Sequence, residues 1–316
     1  MREEQVVEIS GETRPRTFAG DRTTGKSRHA LILQGDTRFR FRKAISGLMA
    51  AIVAACTVFG VAILWIILGY VLVRGLPALD LAFFTERPMP YGEVGGGVAP
   101  AILGSLYLIA VACAIGLPLA VMTAIYLSEY AHGRFGDAVR FVIDLLAGLP
   151  SIVVGVFVWT LIVINTGSFS GLAGAVALAI IMIPIVARTV EAILNLVPNS
   201  MREASLALGV PTWKTIIRVV LPAAKSGIIT GVVLAMARAG GETAPLLMTT
   251  LGNQFFNFDL MQPMAALPVQ IYNYAVAPYA DWHTKAWGSA LVLITLIGLL
   301  SLLTRWAVRS QKLVES

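Results

Sequence analysis

The sequence predicts an all-α polytopic membrane protein with six transmembrane helices. Hydrophobic residues make up 57% of the chain and charged residues only 13%, whereas soluble domains average about 25% charged residues. Apolar runs of about 20 residues, the length of a bilayer-spanning helix, recur along the chain. The net charge of +6 does not indicate nucleic-acid binding, because the placement of the basic residues beside these runs matters more than their total.

Two regions differ in composition. Residues 1–37 are polar, mixed in charge and without periodicity, so we expect a flexible cytoplasmic arm over residues 1–40 and a transmembrane domain over residues 41–316. Within the arm, residues 20–27 match the phosphate-binding pattern G-x-x-x-x-G-K-[ST]. That loop functions between a buried strand and a helix. Because neither a strand nor a βαβ unit fits here, we do not expect nucleotide binding.

Six spans follow the arm. The second contains Pro118, which packing against neighbouring helices tolerates, and the third is interrupted at residues 148–151. The loop of residues 252–286 is too long for a simple turn. Residues 263–276 within it are mildly amphipathic and are expected to lie at the outer surface or to re-enter the membrane. The predicted spans are residues 44–73, 100–127, 141–164, 172–187, 227–251 and 287–306.

Lysine and arginine are distributed unequally between the two sides of these spans, and this bias sets the orientation. One side carries thirteen of them: Arg38, Arg40, Arg42, Lys43, Arg134, Arg140, Arg202, Lys214, Arg218, Lys225, Arg305, Arg309 and Lys312. The opposite side carries only Arg74, Arg87 and Lys285. The sequence therefore places both termini, and the loop after the fourth span, in the cytoplasm.

That loop, residues 200–222, is polar although apolar spans flank it. Ser200 and Glu203 form an S-x-x-E capping box, which predicts a helix beginning at Met201. Gly209 suits a left-handed helix end, and Pro211 cannot continue the helix. A second short helix is expected to restart near Thr212, a good N-cap, and to run to residue 222. An ordinary cytoplasmic loop and a DNA-binding helix-turn-helix are alternatives, the latter disfavoured by the adjoining spans.

The fifth span contains two charged residues. Arg238 lies about 13 residues beyond Lys225, which at about 1.5 Å per residue puts it roughly 20 Å into a hydrocarbon core about 30 Å thick. Glu242 follows four positions later, within reach of it. A lone arginine at this depth costs about 2.5–3.5 kcal/mol. The pair is therefore either a structural ion pair or part of an anion pathway, since a guanidinium matches phosphate oxygens.

Two further charges lie at the inner ends of spans. Arg188 ends the fourth span, where it either snorkels to the surface or joins the same pathway, and Glu191 is its expected partner. Asp144 is interpreted as an interfacial cap. No catalytic triad or carboxylate pair stands out, and the three histidines lack metal-ligand spacing, so we expect no catalytic site, metal site or resident cofactor.

Several segments resemble the PstA-type permeases of phosphate-specific ABC importers, from about Phe41 to the C-terminus. Glu203-Ala204-Ser205, Gly209 and Leu221-Pro222 are similar to the EAA loop of ABC-importer permeases, in which alanine replaces Ser205. The other matching segments are YGEVGGGVAPAILGSL (91–106), LPSIVVGVF (149–157), IPIVARTVEAIL (183–194), ARAGGETAPLL (237–247) and LPVQIYNYA (267–275).

The resemblance implies a type I ABC-importer fold in a bacterial inner membrane. It implies that Glu203, Ala204, Gly209 and Pro211 couple to an ATPase, and that Arg188, Arg238 and Glu242 serve transport. The implied partners are a PstC-type permease, a PstB-type ATPase dimer that binds ATP and Mg, and a PstS-type phosphate-binding protein. A permease for another oxyanion, a secondary anion carrier and a membrane sensor or scaffold are the alternatives.

Overall fold

Helices form most of the described chain. The computed structural model describes residues 24–90, 93, 95–131 and 133–312, and apart from two isolated bridges these residues form helices, turns and loops. The chain divides into two compact units, one up to Ile66 and one from Ile67 onward. The helices are α1 (Thr24–Gly75), α2 (Leu81–Thr85), α3 (Ala99–Ile125), α4 (Arg134–Gly148), α5 (Ser151–Val158), α6 (Ile164–Thr166), α7 (Gly171–Leu194), α8 (Asn199–Ala207), α9 (Thr212–Thr215), α10 (Leu221–Gly240), α11 (Ala244–Thr249), α12 (Leu267–Val276) and α13 (Ala280–Lys312).

Among the described residues, five helical stretches are long and apolar enough to cross a membrane, and a sixth crossing would be a bent pair of helices. This confirms the predicted all-α membrane fold. Turns of π-helix extend α3 to Tyr130, join α5 to α6 and join α9 to α10. The five stretches are Phe39–Ala78, Ala99–Tyr130, Gly171–Leu194, Thr212–Gly240 and Ala280–Thr304.

The third predicted span is not one straight helix. The helix Arg134–Gly148 meets Ser151–Thr166 at a bend of 101°. Leu149 is extended, with φ −69° and ψ 136°, because a residue before proline avoids the helical region. The interruption at residues 148–151 is thereby confirmed, but α4 begins earlier than expected and turns away from α5.

The first compact unit contains most of α1. No proline interrupts residues 24–75, and the helix begins at Thr24, so the part of the predicted arm from residue 24 onward is helical. Residues 1–23 lie outside the described chain, as does the first half of the 20–27 pattern. The division at residue 40 stays a prediction. Within this unit, large apolar side chains such as Trp65 and Ile66 are exposed.

In the second unit, α7 lies at the centre of the helix packing. Leu178, Met182, Val186, Val190 and Leu194 are all at most 1% exposed, and their spacing of four residues places them along one stripe of the helix. Small residues on other faces let neighbouring helices approach closely. Residues of α3, α4, α5, α10 and α11 pack against α7, so α7 is the element against which the candidate site is positioned.

Two glycines of α10 fix its register against α7. A Cβ added at Gly231 would lie 2.7 Å from Thr189, and one added at Gly227 would lie 2.6 Å from Ile193. Both distances are shorter than real contacts allow, so the close approach requires glycine. Gly231 of α10 lies opposite Thr189 of α7, and Gly227 lies opposite Ile193. The two helices therefore run antiparallel in a defined register.

The segment between α11 and α13 is helical over α12, in agreement with its amphipathic pattern. Its first amide, that of Leu267, donates to the Ser105 hydroxyl at 2.6 Å, which ties the helix to α3. Tyr274 packs edge-on against Trp282 at 4.9 Å, and burial raises the pKa of Tyr274 to about 12. The phenol is protonated at neutral pH. The contacts of Leu267 and Tyr274 make α12 an integral part of the fold.

Candidate functional site

The polar loop after α7 contains the expected bend at a glycine. Gly209 has φ +77°, the left-handed conformation that favours glycine. The Val210 amide donates to Ser205 O at 3.3 Å and the Gly209 amide donates to Leu206 O at 2.9 Å, which is the pattern of a Schellman cap. The predicted end of the first helix is confirmed, and Pro211 follows it.

The predicted capping box is wrong. Helix α8 begins at Asn199, before Ser200, and no side chain caps it. Pro198 gives the chain an extended entry, with φ −59° and ψ 138°, so the helix starts directly after it. Ser200 is an exposed residue of the first turn.

The second helix is also longer than predicted. Thr212 is its first residue rather than its N-cap, and the helix continues through the π-helical turn Ile216–Val220 to Gly240. This turn ends two residues before Pro222, whose missing N–H group interrupts the regular hydrogen-bond ladder. The loop and the fifth predicted span are therefore one element, and that element ends earlier than residue 251.

Arg202 connects α8 to the ends of two spanning helices. Its guanidinium donates to both carboxylate oxygens of Glu129, at 2.7 and 3.1 Å, and Glu129 lies in the π-helical turn that ends the second span. It also donates to the carbonyl of Leu194, the last residue of α7, at 2.9 Å, and to that of Val197 in the turn that follows. Arg202 therefore ties α8 to the end of the second span and to the end of α7. Sequence reasoning missed this pair because 73 residues separate its members.

The outer surface of the bend is exposed and partly apolar. Glu203 and Ala204 are exposed, and Leu208 is 84% exposed. On the inner side the buried hydroxyls of Ser205 and Thr215 are hydrogen-bonded at 2.9 Å, which links α8 to α9. This face of the bend is therefore accessible to another protein.

Arg238 and Glu242 form the predicted ion pair, with Nη2 and Oε1 3.3 Å apart. The helix ends at Gly240, and the amide of Glu242 donates to Ala239 O at 3.2 Å, so the chain turns more tightly between the two charges. The Arg238 side chain is 65% exposed and that of Glu242 only 10%. The guanidinium therefore projects away from the packed helices of this chain, while the carboxylate stays within them.

Arg188 has a different principal partner from the predicted one. Its Nε donates to Asp144 Oδ1 at 2.7 Å and its Nη2 to Asp144 Oδ2, so the guanidinium binds Asp144 through two parallel contacts. The expected partner Glu191 is also bound, at 3.2 Å. The interpretation of Asp144 as an interfacial cap is therefore wrong. The partner lies 44 residues away in sequence, which one sequence does not reveal.

Arg140 belongs to the same charged cluster as Arg188, Asp144 and Glu191. Its Nε donates to Glu191 Oε1 at 2.7 Å, and its Nη2 donates to Leu127 O at 2.8 Å. Glu191 is a buried residue of α7, so two guanidinium groups neutralise one buried carboxylate. Sequence reasoning used Arg140 only for orientation. Its spacing of four residues from Asp144, on one face of α4, was the signal that could have identified the cluster.

The two arginines lie at different levels of the same helix pair. Gly231 of α10 lies opposite Thr189 of α7, and the two helices are antiparallel. Arg238, seven residues further along α10, is therefore level with position 182, seven residues earlier in α7. Arg188 is six residues further along α7, which at about 1.5 Å per residue separates the two arginines by roughly 9 Å along the helix axes. The structure does not bring them into one site, and it places Arg188 nearer to the α8 bend.

The family model for "Binding-protein-dependent transport system inner membrane component" matches residues 116–312. That range contains the α8 bend and both arginines. The relatives are more specific: a "Phosphate transport system permease protein PstA" from Yersinia pestis is 47% identical over 77% of this chain and 82% of its own length. The chain belongs to the PstA-type permeases of this family.

Other comparisons agree with this membership. The Haemophilus influenzae PstA protein is 43% identical to this PstA-type permease over 85% of this chain and 95% of its own length. A structure of the MetNI methionine ABC transporter in an inward-facing conformation matches with a TM-score of 0.55 at 20% identity, covering 67% of this chain and 95% of that one. At this identity the likeness shows the fold alone, which is that of an ABC-importer permease.

Proposed function

We propose that this chain is the membrane subunit of an ATP-driven importer of inorganic phosphate and forms half of the translocation pathway. The observation that carries the proposal is the 42–47% identity to several proteins named phosphate transport system permease, which extends over most of the chain. Arg188 and Arg238 agree with an anionic substrate, because each guanidinium presents a fork of donors that matches phosphate oxygens.

The other half of the pathway belongs to a PstC-type permease. Arg238 is largely exposed in the single chain, although it lies in a spanning helix. A charge facing lipid would cost about 2.5–3.5 kcal/mol, so Arg238 faces a partner or a wet cavity. We assign that surface to the pathway shared by the two permeases, with Glu242 holding the guanidinium when no anion is present.

The bend of α8 and α9 is the docking site for a PstB-type ATPase dimer, which binds the ATP and Mg. Glu203, Ala204, Gly209 and Pro211 form this surface. The Arg202–Glu129 pair passes the movement of the docked ATPase to α3 and α7. In this arrangement both termini are cytoplasmic, a PstS-type protein delivers phosphate from the other side of the inner membrane, and this subunit makes and breaks no covalent bond.

Phosphate then meets two arginines in succession. Arg238 lies further from the bend and Arg188 about 9 Å nearer to it, so an anion moving toward the ATPase side passes Arg238 first. Each arginine has its own carboxylate partner. Such a partner limits how long an anion is retained, since it competes for the same donors.

The test is transport by the assembled complex. We expect the chain to copurify with its three partners, and the complex in liposomes to accumulate radiolabelled phosphate only when ATP is supplied on the side of the ATPase. Uptake that continues without ATP hydrolysis would instead identify a secondary anion carrier. Equal competition by unlabelled sulfate would identify a permease of broader oxyanion specificity.

A further inference from the structure

The two carboxylates bound to Arg188 differ in their surroundings. The Glu191 side chain is 6% exposed, and guanidinium groups of both Arg188 and Arg140 donate to it. The Asp144 side chain is 57% exposed and contacts Arg188 alone among the described ion pairs. Glu191 is therefore held in place from two sides, whereas Asp144 is held only by the arginine whose donors it occupies.

Asp144 occupies those donors in the geometry that phosphate would use. It accepts from Nε and Nη2 of Arg188 through its two oxygens, which is the parallel arrangement that a guanidinium forms with a carboxylate or with two phosphate oxygens. Glu191 takes a single contact from Nη1. An anion that binds Arg188 in two-point geometry through Nε and Nη2 must therefore displace Asp144, and it can leave Glu191 where it is.

We propose that Asp144 determines how readily phosphate leaves the inner end of the pathway, by competing with the anion for Arg188. This inference rests on the proposed function, because it requires phosphate to reach Arg188. Asp144 lies on α4 and Arg188 on α7, so the competitor and the arginine belong to separate elements. With Asp144 present, phosphate at Arg188 is readily replaced by the carboxylate and released toward the ATPase side.

Removal of the carboxylate should convert Arg188 into a trap for phosphate. We expect phosphate on the ATPase side to inhibit ATP-driven uptake more strongly in Asp144→Asn than in the wild type. The concentration of phosphate that halves uptake should fall about tenfold, since a two-point charge-assisted contact is then open to the anion. The matched control is Asp137→Asn, the same change on the same helix. Asp137 contacts Arg140 and not Arg188, so this control should be inhibited at the wild-type concentration.

A second variant separates competition from packing. Asp144→Glu keeps a carboxylate, and we expect it to restore inhibition close to that of the wild type. Where Asp144→Asn prevents turnover, direct titration of the detergent-solubilised complex with phosphate alone should still show tighter binding than in the Asp137→Asn complex. Equal affinity in those two complexes, or equal inhibition of their uptake, would overturn the inference.

The assay also separates this inference from the proposed function. A wild-type complex that does not accumulate phosphate contradicts the proposed function itself. A wild-type complex that does accumulate phosphate, together with unchanged inhibition in Asp144→Asn, contradicts only the role of Asp144.

Discussion

Arg238 and Glu242 are partners with opposite exposure. The guanidinium is 65% exposed and the carboxylate 10% exposed, so removal of the arginine leaves a buried carboxylate without its ion-pair partner. Leaving one member of a buried pair uncompensated costs more than the pair itself contributes. A change at Arg238 therefore acts on stability as well as on transport, and an experiment must separate the two.

Arg238→Gln should lower phosphate uptake by at least about tenfold, because hydrogen bonds to a charged group contribute about 1.5–3 kcal/mol and glutamine lacks that charge. The measurement is initial uptake of radiolabelled phosphate per assembled complex. In Arg238→Gln/Glu242→Gln the buried carboxylate is also neutralised, so assembly should return to the wild-type level while uptake stays low. Normal uptake by the single variant would rule out a role for Arg238 in the pathway.

Residue pairs close in sequence were predictable and distant ones were not. The spacing of four between Arg238 and Glu242 predicts their contact, which the structure confirms. Asp144 and Arg188 are 44 residues apart, and only the packing of α4 against α7 brings them together. The role of Ser200 was mistaken because the S-x-x-E pattern describes a local preference, which the extended conformation of Pro198 overrides.

At the scale of elements, the bend between α8 and α9 depends on the backbone of Gly209. Its φ is +77°, and a Cβ added there would have no atom within 4 Å. Gly209→Ala therefore introduces backbone strain of about 1–2 kcal/mol without a clash. Because the strain acts where α8 turns into α9, we expect the ratio of phosphate imported to ATP hydrolysed to fall about fivefold or more.

The matched control is Gly298→Ala in α13. Gly298 has equally open space for a Cβ and no positive φ, and alanine favours a helix interior over glycine by about 1 kcal/mol. This variant should keep the wild-type ratio of transport to hydrolysis, measured in the same liposomes. An unchanged ratio in Gly209→Ala would show that coupling does not need the left-handed bend.

Elements were predicted well where hydropathy alone decides them. Four of the six predicted spans correspond to single helical stretches of the structure with shifted ends. The third is interrupted at residues 148–151, as predicted, and the fifth prediction runs past the glycines at which the helix ends. Gly240-Gly241 ends the fifth helix early, and Leu149-Pro150 turns the third span by 101°. Both breakers are visible in the sequence, but the angle they produce depends on what the neighbouring helices pack against.

At the scale of the whole molecule, the topology depends on the bent pair α4–α5. If this pair crosses the membrane once, the chain makes six crossings, and the α3–α4 junction lies on the same side as the α8 bend. If the pair returns to the side from which it entered, only α7 separates those two segments. They would then lie on opposite sides, and an ATPase docked at the bend could not share a compartment with the basic residues beside α4.

Single cysteines at Phe135, Trp213 and Gln254 distinguish these topologies, in a chain whose Cys56 and Cys113 are replaced by alanine. Phe135 marks the α3–α4 junction, Trp213 the bend and Gln254 the loop after α11, and each is exposed. With a membrane-impermeant thiol reagent added to intact cells, we expect labelling at position 254 only, and labelling at positions 135 and 213 after permeabilisation. Labelling of position 213 but not 135 in intact cells would mean that the bent pair does not cross. Labelling of both would reverse the orientation that the lysine and arginine distribution predicts.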